Sequence, residues 1–315
     1  MSGPRDHGGG LDAAVAQYGG SRNNWLDLST GINPVPYPLT ALPADAWTAL
    51  PDAGATDWLI AAARAFWQVP EQAVIVPAPG ASALIARLPS LVPGLPVQIA
   101  GPTYNEHAAA FRAAGNVVQD GPAPVRVDVH PNNPDGRLAP ETTSAARLHV
   151  IDESFCDTMP GASLISRTAQ DSTVVLKSFG KFWGLAGLRL GFAIATPATL
   201  TGPTGSLAEM LGPWPVSGPA LAIGAAALAD IEWAAATRAR LTDDAARLDQ
   251  MMTAKGAALV GGTALFRLYA VDNAAAWQAR LARGHVWSRI FPYSHTWLRL
   301  GLPHPDRWDQ LRAAL

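Results

Sequence analysis

The sequence predicts an α/β protein: a large domain on a mainly parallel sheet, followed by a smaller α+β domain. Two observations carry this. From Val74 onward, short β-branched runs alternate with amphipathic stretches, as strands joined through helices do. Beyond Ala195 the texture turns to an Ala-rich helical stretch and then to short strands with two further helices. With 49% apolar and only 15% charged residues, 315 residues can bury a sizeable core, which excludes global disorder.

The first forty or so residues, rich in Gly, Pro and Asn, read as an extended arm with little regular structure of its own. Strands are predicted at Val74–Val76, Val97–Ile99, Val117–Val118, Val125–Val129, Leu148–Ile151, Thr173–Leu176 and Gly191–Ala195. Helices are predicted at Ala81–Leu91 and Asn105–Ala114. Residues 219–255 read as helical and long enough to bridge two domains; strands follow at Leu265–Tyr269, Val286–Ile290 and Trp297–Leu300, with helices at Ala274–Leu281 and Asp306–Ala314. The predicted organisation is an arm over residues 1–44, a large domain over 45–215, and a bridging helix with a small domain over 216–315.

Lys plus Arg is 23 and Asp plus Glu 25, a net charge of −2, so no overall field draws the chain to nucleic acid or an anionic membrane. The single cysteine, Cys156, excludes an internal disulfide and a cysteine-based zinc site, and the histidines show no paired ligand spacing, so no metal is expected. No apolar run is long enough to span a bilayer and the N-terminus does not read as a signal peptide, so a soluble cytoplasmic protein is expected.

The basic residues are almost all arginine; the only lysines are Lys177, Lys181 and Lys255. A lysine amine can lose its proton and attack a carbonyl, which a guanidinium effectively cannot. Lys181 stands directly after a predicted strand, in the glycine-rich segment from Ser178 to Phe192, where a ligand can approach the backbone closely. Arg189, eight residues on, can bind an anion bidentately. Gly80, Ala81 and Ser82 open a predicted helix, where free N–H groups favour an anion. Taken singly, Ser82 also reads as a helix cap, Asp152 as a capping or loop carboxylate, and Tyr104 as a packed aromatic.

Ser178-x-x-Lys181 followed by Gly184-Leu-Ala-Gly-x-Arg189-x-Gly191 closely resembles the cofactor-lysine motif of fold-type I pyridoxal phosphate enzymes. It looks most like the branch that holds histidinol-phosphate aminotransferases and threonine-phosphate decarboxylases. The resemblance implies the aspartate aminotransferase-like fold, pyridoxal 5′-phosphate as cofactor, and a homodimer. It further implies that Asn133, in the turn Pro131-Asn-Asn-Pro-Asp-Gly136, donates to the phenolic oxygen of the cofactor. Asp152 would keep the pyridine nitrogen protonated so that the ring accepts electrons, and Tyr104 would stack on that ring. Gly80, Ala81, Ser82, Ser178 and Arg189 would hold the phosphate.

Three positions depart from the family pattern. Phe155 stands where a tyrosine hydroxyl is common, Gly180 where a second hydroxyl residue is common, and Asp135 in place of threonine. The segments His7–Gly10, Leu26–Pro34, Trp287–Ser294 and Trp297–Leu302 resemble the decarboxylases of the cobalamin pathway, whose arm packs on the active site and small domain. By that resemblance Arg299 binds the substrate carboxylate, and Arg289 the substrate phosphate with His7 and Asn33 nearby. The implied reaction is decarboxylation of L-threonine O-3-phosphate, a small phosphorylated amino acid, with no nucleic acid or membrane partner. Transamination of the histidinol-phosphate type, or a catalytically silent subunit of the same fold, are the other readings.

Overall fold

A computed structural model describes residues 7–39, 41–140 and 146–315; the start of the predicted arm, residues 1–6, lies outside them. The chain forms two compact units. One holds the chain up to Val35, Pro134–Gly136 and Ala236–Leu315; the other holds Pro36–Asn133 and Arg137–Ala235.

The arm is more regular than its composition suggests. Helix α1 (Leu11–Tyr18) forms between Gly10 and Gly19, both at positive φ. Such conformations favour glycine, so the glycines that look like loop residues are the ends of a helix. Ala14 of α1 packs in one apolar cluster with Trp25 and Ala282. Strand β1 (Leu26–Asp27) follows.

The larger unit begins with the short helix α2 (Asp45–Thr48) and α3 (Ala53–Trp67). Its buried residues Leu59, Ala63 and Trp67 recur every four residues, one face of a helix. The central sheet comprises β2 (Val74–Ala78), β3 (Val97–Gln98), β4 (Val118–Gln119), β5 (Val125–Val129), β6 (Leu148–Asp152), β7 (Thr173–Ser178) and β8 (Gly191–Ala195), in the order β2-β8-β7-β6-β5-β3-β4. Strands β3 to β7 pair in parallel, while β8 runs antiparallel to both β2 and β7. Strands β6 and β8 are buried along their whole length; β8 is accordingly apolar throughout, while the buried His149 and Asp152 of β6 are each paired with a polar partner. Register sets Val129 beside Asp152, Asp152 beside Leu176 and Ser178 beside Gly191, so the ends of β5, β6 and β7 and the start of β8 share one edge.

Between the strands, α4 (Ala81–Ile85) is shorter than the expected Ala81–Leu91 helix; a 3-10 turn, Leu88–Leu91, takes over. Pro89 lacks an N–H and biases Leu88 away from the α region. Helix α5 (Asn105–Ala113) connects β3 to β4. After β8 come the hairpin β9 (Thr201–Gly202) and β10 (Gly205–Ser206), the capped helix α6 (Leu207–Leu211) and α7 (Gly218–Ala229). The expected 219–255 helical stretch is two helices: α8 (Ile231–Thr253) meets α7 at 77°. Asp230 makes the break, because its Oδ1 accepts from the Trp233 N–H at 2.9 Å and starts the second helix. No single helix among the described residues is long and apolar enough to cross a membrane.

The smaller unit carries an antiparallel sheet, β11 (Ala258–Thr263), β12 (Phe266–Ala270), β14 (Arg289–Phe291) and β15 (Ser294–Gly301), in the order β11-β12-β15-β14. Strand β13 (Val286–Trp287) instead pairs in parallel with β1. Helices α9 (Ala274–Arg283) and α10 (Trp308–Ala314) complete this unit.

Candidate active site

The shared edge of the large sheet opens into a pocket lined by Ala81, Ser82, Tyr104, Asn133, Asp152, Phe155, Ser178, Lys181 and Arg189 among others. Ligands of open α/β sheets bind at strand C-terminal ends, and the parallel strands bring the predicted residues to one such end.

Asp152 closes β6 and is buried. His107 Nε2, from α5, lies 2.8 Å from its Oδ2, and Ser154 donates to Oδ1 through its hydroxyl at 2.5 Å and its N–H at 3.0 Å. Burial alone would raise this carboxyl, but the His107 and Ser154 contacts overcome it and hold Asp152 below the ordinary value. His107 was not among the residues singled out from sequence. Its spacing from Tyr104, three residues, is the available signal: Tyr104 immediately precedes α5 and His107 lies in its first turn, and the two rings meet edge-on at 6.1 Å.

The two lysines flanking the end of β7 differ completely. Lys177 is fully buried, with Nζ 2.6 Å from Glu153 Oε2 and 3.5 Å from Asp157 Oδ1. Burial would lower its pKa, but the two carboxylates outweigh burial and raise it, so Lys177 stays an ammonium and is no nucleophile. Lys181, in the loop beyond, lines the pocket with its Nζ 5.3 Å from the centroid of the Phe155 ring. Lys255 follows α8 in the chain, remote in sequence from the pocket residues.

Arg189 has φ 53 and donates from Nη1 to the Ala186 carbonyl at 3.1 Å. Its guanidinium sits where a Cβ at Gly80 would be, 2.6 Å from Nη2, and a Cβ at Gly191 would come within 2.4 Å of the Ala81 nitrogen. Both glycines are therefore required for Arg189, Ala81 and the helix start to approach one another. The Ser178 hydroxyl accepts from the Gly180 N–H at 3.3 Å. Of the two asparagines in the turn, Asn132 is tied to the Pro102–Thr103 segment: Oδ1 accepts from Thr103 Oγ1 at 2.6 Å and Nδ2 donates to the Pro102 carbonyl at 3.1 Å. Asn133 is the one that lines the pocket.

His130, Glu153 and Cys156 bring potential metal-ligating atoms within 4.8 Å of one another. Both His130 nitrogens are used, Nδ1 accepting from the Ala139 N–H at 2.9 Å and Nε2 lying 2.7 Å from the Ala162 carbonyl. Burial, and then Glu153, also raise the Cys156 thiol, which disfavours the thiolate a metal needs.

The remaining candidates lie in the smaller unit. Arg299 on β15 faces Arg289 on β14 in register. Arg299 is buried and donates from Nη2 to the Ser29 carbonyl at 2.6 Å. Burial, and then the neighbouring Arg289, push its pKa down to about 10 against the opposing pull of Tyr293 and Asp27. Arg289 donates to the backbone carbonyl of His7, whose exposed side chain plays no part in that bond. Asn33 Oδ1 accepts from Arg240 Nη2 at 2.6 Å and from the Val35 N–H at 3.1 Å. Hydrogen bonds thus join His7 to Arg289 and Asn33 to Arg240, a residue the sequence did not single out.

Residues 129–315 match the family model for Aminotransferase class I and II. The threonine-phosphate decarboxylase of a Sinorhizobium species is 41% identical, spanning 100% of this chain and 98% of that protein. A second threonine-phosphate decarboxylase, from Pseudomonas aeruginosa, is 39% identical over 98% of this chain and 97% of its own. In fold, the chain is similar to the histidinol-phosphate aminotransferase from Sinorhizobium meliloti solved with pyridoxal-5′-phosphate, with a TM-score of 0.79 and 19% identity over 98% of this chain and 93% of that one.

Proposed function

Because the chain belongs to the class I and II aminotransferase family, whose cofactor is pyridoxal 5′-phosphate, we propose that it decarboxylates L-threonine O-3-phosphate to (R)-1-amino-2-propanol O-2-phosphate, a step toward cobalamin. The observation that carries this reading is the match, over nearly the full length of both chains, to two decarboxylases of that name. The pocket supports the cofactor independently: Lys181, an ionised Asp152 and the Gly80–Arg189 cradle converge there.

When bound, the cofactor supplies an electron sink for the pair left on the substrate α-carbon as CO₂ departs. Lys181 is the residue that would carry it. Asp152, kept anionic by His107 and Ser154, would keep the ring nitrogen protonated and so deepen that sink. Asn133 would donate to the ring oxygen and Tyr104 would pack on the ring. Gly80, Ala81, Ser82, Ser178 and Arg189 would hold the phosphate, with Arg189 supplying the charge. The proton that replaces the departing CO₂ on the α-carbon would come from Lys181 in its ammonium form, once the substrate amine has taken its place, or from another acid. Arg299 takes the substrate carboxylate, and Arg289, with His7 and Asn33, takes its phosphate. This reading carries with it a cytoplasmic homodimer.

The test is CO₂ release from threonine phosphate by the purified protein, together with mass mapping of the borohydride-fixed cofactor. Release with the label on Lys181 is expected. Rapid transamination of histidinol phosphate with 2-oxoglutarate would replace the proposal with the aminotransferase reading, and no turnover of either would favour a silent subunit.

A further inference from the structure

Behind the Lys181 loop lies a buried ionic cluster that the proposed reaction does not use. Glu153 Oε2 accepts from Lys177 Nζ at 2.6 Å and from Ser163 Oγ at 2.7 Å, and its Oε1 accepts from the Leu164 N–H at 2.6 Å. Asp157, 4% exposed, is held differently: two indole N–H groups converge on it. Trp67 Nε1 donates to Oδ1 at 2.9 Å and Trp183 Nε1 to Oδ2 at 3.1 Å. A buried donor deprived of its acceptor carries the full cost of desolvation, so both indoles are constrained by this one carboxylate.

The two indoles come from unrelated places. Trp67 ends α3, far in sequence from Lys181. Trp183 is two residues beyond Lys181, in the same loop. Its ring is fully buried and stacked on both faces, against Phe179 at 5.0 Å and 11° and against Trp233 at 5.4 Å and 13°. Its backbone carbonyl accepts from the Tyr37 N–H at 2.9 Å. Phe66, Phe182 and Tyr37 also pack against the Trp183 ring, tilted or edge-on, at 5.3, 5.2 and 6.2 Å. This packing is apolar and non-directional, so the bond from Nε1 to Asp157 is what fixes the direction of the indole N–H within it. Gly180 and Gly184 bracket Lys181 and Trp183 and have no side chains with which to hold the loop.

We propose that Asp157 is a positioning residue: by holding Trp183 Nε1 it fixes the loop from which Lys181 enters the pocket. The inference rests on Lys181 being the cofactor lysine. It differs from a purely structural cluster in one respect. A structural role treats the two indoles alike, whereas positioning distinguishes the one attached to the lysine loop.

The experiment compares Trp183→Phe with Trp67→Phe in the cofactor-loaded protein, since each deletes one indole N–H to the same carboxylate. Turnover is expressed per mole of borohydride-fixed Lys181, which removes any effect of a smaller folded fraction. Small displacements of a reacting group cost up to about a hundredfold, so Trp183→Phe should lower kcat roughly tenfold or more, with KM within about twofold. It should also slow the appearance of the fixed label on Lys181. Trp67→Phe should lower Tm comparably yet keep kcat and labelling rate within about twofold. In the nearly isosteric Asp157→Asn the amide oxygen takes the Oδ1 place, where Trp67 Nε1 and Lys177 Nζ both donate, so its N–H meets Trp183 Nε1 and the same fall in kcat is expected; it serves as the second variant if Trp183→Phe does not fold. Equal kcat losses in the two tryptophan variants, or full kcat in Asp157→Asn, would overturn the positioning role while leaving Lys181 in place. A label mapped to another lysine would overturn the Lys181 reading itself, and this proposal with it.

Discussion

The pocket edge of the large sheet and the arginine pair of the smaller unit treat buried charge in opposite ways. At the pocket edge, Asp152 is held down by His107 and Ser154 and Lys177 is held up by Glu153 and Asp157, so both shifts favour the charged form. On β15, burial and Arg289 push Arg299 toward its neutral form. The first region is preorganised for its charges before any ligand arrives. In the second, on the proposed reading of Arg299, an arriving anion would relieve a cost already present in the protein, which is what a substrate-binding site gains from.

The sharpest way to break this comparison is Asp152→Asn. The amide retains the shape and most contacts but cannot hold a proton on the ring nitrogen. Cofactor should stay bound, while turnover falls by on the order of a thousandfold or more, the scale of a lost electrostatic contribution of several kcal/mol. Visible absorbance checks retention and CO₂ release checks turnover. Near-normal turnover would remove Asp152 from the chemistry and with it the idea that this edge is preorganised for charge.

Next in size are two substitutions of buried cations expected to differ in kind. Lys177→Met leaves Glu153 and Asp157 buried together without their cation, and should cost about 3–5 kcal/mol of folding stability. Arg299→Leu removes a charge that its surroundings disfavour but leaves the Ser29 carbonyl without its donor, so urea unfolding without substrate should change by only about 1–2 kcal/mol, less than in Lys177→Met. Its KM for threonine phosphate should rise roughly tenfold to a hundredfold, the loss of a charged hydrogen bond of about 1.5–3 kcal/mol. A large stability loss in Arg299→Leu would make the two regions alike.

The pH dependence sharpens the same contrast. Arg299 falls from a reference value of 12.5 to about 10, so between those values the unfolded chain binds more protons, and this group's contribution to stability rises with pH. Below about pH 10 Arg299 is charged and its full cost is present. A bound anion favours the charged form, so KM should rise as pH passes upward through about 10, and that alkaline limb should be absent in Arg299→Leu.

What the sequence discloses follows the same division. Asn133, Asp152 and Lys181 are each predicted beside a β-branched strand, and a parallel sheet carries that order onto one edge. His107 is hidden because its significance is tertiary: it reaches Asp152 from 45 residues away. The antiparallel direction of β8 is also hidden, since a β-branched run looks the same either way. The clue is that 179–190 holds a 3-10 turn but no α-helix, whereas parallel neighbours need a crossover, usually helical. Strand β11 is obscured by Gly261 and Gly262 and by its exposed start. The register that sets Arg289 against Arg299 follows from a bulge between Ile290 and Phe291, which alternation alone does not reveal.

The smallest expected effect belongs to Arg289, which lies across from Arg299 and is partly exposed. A dianionic phosphate pairs with a bidentate guanidinium more strongly than a neutral hydroxyl pairs with any residue, so threonine phosphate should be preferred over threonine. Arg289→Ala should lose most of that preference, roughly tenfold in kcat/KM given its solvent exposure, with threonine itself little affected. Removing Arg289 also lifts the charge that disfavours Arg299, so carboxylate binding should not weaken. Arg299→Ala should instead harm both substrates, since both carry the carboxylate. Comparing kcat/KM for the two substrates across the two variants separates the roles. Equal turnover of threonine and threonine phosphate by the unmodified protein would show that no residue here selects for phosphate, and the assignment of Arg289 would fall.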